Sequence, residues 1–152
     1  MEQKENALRY LKLMEGKRLR WGHISPGGGT YKLCFGKKLK TVTICNKKLP
    51  VYLYNLHIWC DFQISLRTKP GVYKTYTEHT DPAEFHADIK KLYGRRVRRV
   101  ELGPSNSLLI DLKRYWIVCV PDLDSVEAWI YYVAEAGEPH LIANDNQLNM
   151  SD

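Results

Sequence analysis

The side chains best suited to proton transfer or metal ligation are five histidines, His23, His57, His79, His86 and His140. Their spacing assembles no site, because none has a partner at the short interval of a metal pair or a nucleophile–base pair. The densest grouping is Glu78-His79 with Glu84-x-His86 around Asp81. There the aspartate, proline and glutamate read as the start of a helix rather than a reactive cluster. Cys34, Cys45, Cys60 and Cys119 lack C-x-x-C spacing and lie in apolar, strand-like runs, where a free thiol behaves as a small hydrophobe. Gly27-Gly28-Gly29 sits in neither G-x-x-x-x-G-K-[ST] nor G-x-G-x-x-G, so it reads as a hairpin loop and not a phosphate cradle. The sequence thus assigns no catalytic, cofactor-binding or metal-ligating residue. It expects no cofactor and points away from an enzyme.

What it does carry is charge. The net of +6 conceals a gradient: residues 1–80 hold 15 Lys/Arg against 5 Asp/Glu, and residues 81–152 hold 8 against 12. Residues 17–48 contain nine bases and no acid, while 121–152 contain seven acids and no base. Lys90, Lys91, Arg95, Arg96, Arg98 and Arg99 put six bases into ten residues, with Tyr93 and Trp116 nearby as stacking groups. Such a run suits phosphate contacts. In a strand, however, alternate arginines point to opposite faces, and no helix-turn-helix, ribonucleoprotein or zinc module accompanies them.

The elements that must position these residues come in two sets. Gly16-Lys17-Arg18-Leu19-Arg20 and Gly94-Arg95-Arg96-Val97-Arg98 repeat one pattern 78 residues apart. Each follows an amphipathic segment. The first is a helix over 6–15 with Asn6 as cap and Leu8, Leu11 and Met14 (or Tyr10 and Met14) on one face. The second is capped by Asp81-Pro82-Ala83-Glu84, with Phe85, Ile89 and Leu92 inward. Each then runs into strands. In the first half these are 17–24, 31–35, 39–44 beyond a Gly36-Lys37-Lys38 turn, and one or two strands within Val51–Leu66. In the second they are 95–102, 108–112, a central 116–120, 127–133 and a short 140–142. Trp59 and Trp129 mark matching strands. The reading is a single domain of α+β class, strand-dominated. An antiparallel sheet or barrel is built from two helix–strand repeats, about 6–66 and 81–142, related by a pseudo-twofold. A connector spans 67–80, and 144–152 is a frayed tail.

The pattern Met14-Glu15-Gly16-Lys17, Leu92-Tyr93-Gly94-Arg95, Trp59 and Trp129 resembles small uncharacterised bacterial proteins with a duplicated leucine-x-glycine-lysine/arginine start and a tryptophan strand in each half. Some of these resemble immunity proteins of toxin systems. The resemblance implies a fold and a protein partner, and no catalytic residues.

From this follows a non-enzymatic protein-binding role, immunity-like or regulatory, acting by surface complementarity. Lys47, Lys48, Tyr52, Tyr54, Arg67, Tyr73 and Tyr76 are the expected contacts, and a toxin or other acidic protein the expected partner. The alternative is nucleic acid, bound through the basic 90–99 and 17–48 stretches. Homodimerisation through a strand edge stays open. No apolar run reaches bilayer length, so the expected compartment is the cytoplasm and no membrane is involved.

Overall fold

Helix α2 (Pro82–Lys90) begins where its sequence predicts. The Asp81 carboxylate accepts the Ala83 N–H at 3.1 Å, and Pro82 occupies the first turn, where no N–H is needed. Phe85, Ile89 and Leu92 are buried. Helix α1 (Glu2–Leu11), continued by a 3-10 turn over Lys12–Met14, starts earlier than expected. Asn6 lies inside it and is no cap. Ala7, Tyr10, Leu11 and Met14, spaced three and four residues apart, form the buried face. The computed structural model describes residues 2–25, 29–69, 71–123, 127–135 and 137–151. The triglycine loop therefore lies outside the described residues except for Gly29, as does Pro70 of the connector.

Among the described residues the strands form two open antiparallel sheets and no closed barrel. In chain order they are β1 (Leu19–Ile24), β2 (Tyr31–Ile44), β3 (Lys47–Ile58), β4 (Phe62–Leu66) and β5 (Tyr73–Tyr76), then β6 (Arg99–Leu102), β7 (Leu108–Asp111), β8 (Tyr115–Cys119), β9 (Trp129–Val133), β10 (His140–Ala143) and β11 (Leu148–Ser151). The six-stranded sheet runs β1-β2-β3-β9-β10-β11, and the five-stranded sheet β5-β4-β8-β7-β6. Each half thus lays a three-strand meander in one sheet and sends its next strands to the other. Tyr31 of β2, Phe62 of β4, Tyr76 of β5 and Phe85 of α2 join the two layers edge to face, with Tyr31 and Phe85 rings 4.7 Å apart. β8 holds the centre of its sheet, in keeping with its apolar run.

Several expectations need correction. Gly36-Lys37-Lys38 is no turn: β2 runs on through it with register shifts between Phe35 and Lys38 and between Lys38 and Lys40. The bulge uses Gly36 at φ +81°, where a Cβ would come within 2.8 Å of the Tyr54 ring. The turn sits at Cys45 (φ 50°) and Asn46 (φ 64°), the geometry of a two-residue hairpin. Cys45 is therefore exposed rather than in the core. Trp59 and Trp129 do not occupy matching places. Trp129 opens β9 fully buried, while Trp59 lies in the crossover from β3 to β4 and is 42% exposed. The buried residue at the start of β4 is Phe62. Only Arg99–Leu102 of the expected 95–102 strand is strand. The connector holds β5, and the tail is tied down by β11 pairing with β10. No helix among the described residues is long and apolar enough to cross a membrane.

Candidate functional site

The two glycine–arginine segments meet. Arg18 and Arg96 face each other in an isolated antiparallel bridge, and the bonds around them are reciprocal. The Gly16 N–H donates to the Val97 carbonyl at 2.7 Å, and the Gly94 N–H to the Leu19 carbonyl at 2.8 Å. Leu19 N–H donates to Arg95, and Val97 N–H to Lys17, both at 2.9 Å. The guanidiniums cross as well: Arg18 Nη1 donates to the Gly94 carbonyl at 2.8 Å, and Arg96 Nη1 to the Gly16 carbonyl at 2.9 Å. The residue before each glycine adds an acceptor. Glu15 Oε2 takes the Val100 N–H, and the Tyr93 hydroxyl takes the Gly22 N–H, each at 2.9 Å. Charged donors on helix-end carbonyls are the stronger class of hydrogen bond, so both arginines are fixed in place with part of each guanidinium still outward.

This junction floors a cleft of about 690 Å³ lined by Lys17, Arg18, Arg20, Lys37, Lys38, Arg96, Tyr52 and the two glycines Gly16 and Gly36. Among the described residues, no carboxylate or imidazole lines it. The ion pairs among the described residues lie elsewhere, at Lys12–Glu15, Lys74 with Glu84 and Asp88, Lys91–Asp88, His79–Glu78, and Arg98 and Arg99 with Asp111 and Glu101. Cations crowded in a concave site focus positive potential there and draw in anions. Beyond the cleft, β2 and β3 continue as a two-stranded arm on which Lys38, Lys40, Lys47 and Lys48 are exposed.

The sequence-predicted contacts are divided by the fold. Lys47 and Lys48 stand near the tip of the arm, and Tyr52 lines the cleft. Tyr54 packs against the core beneath Lys17, whose ammonium lies 5.8 Å from its ring centre. Arg67 lies in the turn after β4 of the other sheet, donating to the Lys113 carbonyl at 3.2 Å. Tyr73 is 57% exposed on edge strand β5, but Tyr76 is 2% exposed, with its hydroxyl on Asp88, and cannot be a surface anchor. These seven make no single surface.

The basic run is divided too. Arg95 stacks its guanidinium over the Tyr115 ring at 4.8 Å, Arg98 and Arg99 turn to Asp111, and Lys91 lies 3.9 Å from Asp88. Lys90 is exposed at the end of α2, and Arg96 alone joins the cleft. The other cleft cations come from residues 17–38, within the basic 17–48 stretch that the sequence offered for nucleic acid without naming residues.

The histidines, scattered in sequence, mostly gather on the outer face of the six-stranded sheet. Across β1, β2, β3, β9 and β10 the register places Trp21, Cys34, Asn55, Tyr132 and His140 in one row and His23, Lys32, His57, Ile130 and Ile142 in the next. Trp59, His57, Tyr132 and His140 stack in series, with centroids 5.8, 5.6 and 4.6 Å apart, and Trp21 stacks on His23 at 4.9 Å. Burial first, then Lys32 and His140, pushes the His57 imidazole down to about 4. His23 is lowered by burial and by His86 and Lys32. The Glu78–His79 and Glu84–His86 group does not converge: His79 pairs with Glu78, Glu84 with Lys74, and His86 stacks toward His23. This ring face had a weak local signal, the alternation of Asn55, His57 and Trp59. Its β9 and β10 members depend on a long-range pairing. No family model, characterised protein or solved structure matches the chain.

Proposed function

We propose that the protein is a non-enzymatic binding protein that holds the phosphate backbone of a nucleic acid in the basic cleft. The observation that carries this is the lining itself: six cations from three separate segments, no carboxylate among them, and a lysine-bearing arm beside them. Cations and a tyrosine hydroxyl are donors suited to holding anions. Each phosphate neutralised releases condensed counterions, so affinity falls with salt, by about 0.7 per contact in the log–log slope for single strands. The test is anisotropy of a labelled oligonucleotide between about 50 and 200 mM salt. The triple variant Arg20→Gln/Lys37→Gln/Lys38→Gln removes exposed cleft cations that form no ion pair among the described residues. It should bind at least tenfold more weakly and lose roughly 2 from the slope. Lys90→Gln/Lys91→Gln, outside the cleft, is the control. Equal losses in both variants would mean the cleft is not the site.

The protein-binding reading keeps one supporting observation. Edge strand β5 opens on exposed Tyr73, and Val72 just before it is exposed too, beside an apolar cleft of about 330 Å³ that includes Ile64, Leu66 and Leu92. An immunity-like or regulatory contact would use that edge, by strand addition or apolar docking.

We also infer that the chain is a duplication. Supporting it are residues 78 apart in like roles: Leu11 and Ile89, Met14 and Leu92, Gly16 (φ +84°) and Gly94 (φ +87°), and the reciprocal bonds between them. The buried thiols Cys34, Cys60 and Cys119, all unbridged, favour a reducing, cytoplasmic setting.

A further inference from the structure

We propose that the nucleic acid held in the cleft is single-stranded, and that its bases stack on the ring series Trp59–His57–Tyr132–His140 of the outer sheet face. This rests on the phosphate-binding reading of the cleft and adds what lies beside it. The two regions are continuous. Arg20 of the cleft directly precedes Trp21 of the ring face, and Asn55, beneath the rings, donates its Nδ2 to the Tyr52 carbonyl at 2.8 Å. From Tyr52 to Ile58 the strand covers about 20 Å at ~3.3 Å per residue, room for several nucleotides.

The rings suit bases rather than charged groups. With His57 pushed down to about 4, its imidazole is neutral at physiological pH, as a stacking surface for a neutral base requires. The two end members of the series are its open ends: Trp59 is 42% exposed, and His140 is exposed. Cys34 and Asn55 are buried even though they point outward, so neighbouring rings overhang them and leave a closed floor. Lys32 stands in register between His23 and His57, where it can meet a phosphate between stacked bases. A duplex keeps its bases paired inside and could use the cleft but not the rings. An acidic peptide has no planar side chain in each residue to use them either.

The experiment compares three phosphate ligands, a labelled single strand, its duplex and inorganic polyphosphate, with poly-glutamate added as a carboxylate polymer. Each is titrated against the full chain and against Trp59→Ala, His140→Ala, Trp59→Phe and the Arg20→Gln/Lys38→Gln variant. Stacking predicts that Trp59→Ala and His140→Ala each weaken single-strand binding roughly 5- to 100-fold and leave polyphosphate binding unchanged. Trp59→Phe should restore most of the loss, with Trp fluorescence quenched on binding in the wild type. The cleft variant should weaken all three ligands. If Trp59→Ala and His140→Ala leave single-strand affinity unchanged, or the duplex binds as tightly as the single strand, the stacking proposal is overturned while the cleft reading stands. If polyphosphate and both nucleic acids fail to bind, the cleft reading falls and takes this one with it. Poly-glutamate binding as tightly as the oligonucleotide would move the occupant to an acidic protein and overturn the proposal.

Discussion

Replacing the glycines of the junction one at a time tests whether its two corners are equivalent. Gly16 and Gly94 have φ +84° and +87°, and a Cβ built on either meets nothing within 4 Å. The cost of alanine is then backbone alone. A left-handed L-residue costs ~1–2 kcal/mol, and the stiffer unfolded chain offsets ~0.4–1 kcal/mol of that. Gly16→Ala and Gly94→Ala should therefore each destabilise by ~0.5–1.5 kcal/mol, and by similar amounts. Gly36→Ala is different. At φ +81° its Cβ would sit 2.8 Å from the Tyr54 ring, which is packed against the core and cannot swing away freely. Overpacking adds ~1–3 kcal/mol, so Gly36→Ala must be the worst of the three. Urea unfolding followed by far-ultraviolet circular dichroism, at constant m, reads all three midpoints. A Gly36→Ala milder than the other two would refute the packing argument. A gap above ~1 kcal/mol between Gly16→Ala and Gly94→Ala would refute the equivalence of the corners.

Two further outcomes follow from single groups. Because burial holds His57 neutral down to about 4 while the unfolded chain takes up its proton near ~6.5, stability should fall as pH drops through that window. His57→Gln should flatten the fall in urea midpoint, and an unchanged acid slope would show that His57 is not its source. Of the four thiols, Cys45 alone is exposed, burial pushes Cys34 up to about 12, and the neighbouring Cys60 thiol together with burial raises Cys119. A thiol-disulfide reagent should modify one cysteine in the folded protein and four in denaturant, and Cys45→Ser should abolish the fast reaction.

What could be read from the chain were the features whose cause is local. Asp81-Pro82 fixes a helix start through its own backbone, and the Phe85, Ile89, Leu92 spacing fixes the buried face. Lys-rich alternation from Tyr31 to Ile44 was legible as strand, but the bulge at Gly36 was not, because a glycine followed by two lysines looks like a turn until Tyr54 is known to lie across from it. Trp59 misled for the same reason. Its apolar neighbours suggested burial, yet it sits where the chain leaves one sheet for the other, so its burial depends on a crossover rather than on alternation. The cleft was half legible: the acid-free stretch announced its sign, but Arg96 joins it only through the pairing with Arg18.

The repeated motif itself is scaffold, and the difference between its two surroundings is where specificity lies. Arg18 and Arg96 spend a guanidinium nitrogen apiece on a glycine carbonyl, which fixes the junction and leaves recognition to what surrounds it. In the second half the surrounding cations are neutralised within the fold. Asp111, fully buried, holds Arg98 and Arg99 at 3.7 and 3.5 Å, and Tyr115 covers Arg95. The strand pair that sets Arg99 against Asp111 is matched in the first half by Trp21 against Cys34, a ring and a thiol where the other has an ion pair. Among the described residues no carboxylate pairs with Arg20, and Lys37 and Lys38 extend the cleft through the bulge into the arm. Burying a carboxylate against two arginines costs desolvation that the attraction only roughly repays. The second half carries that cost at Asp111, whereas Arg20, Lys37 and Lys38 of the first half stay exposed to solvent. On the proposed phosphate reading, the first half supplies the contacts, with Arg96 as the second half's contribution to the cleft.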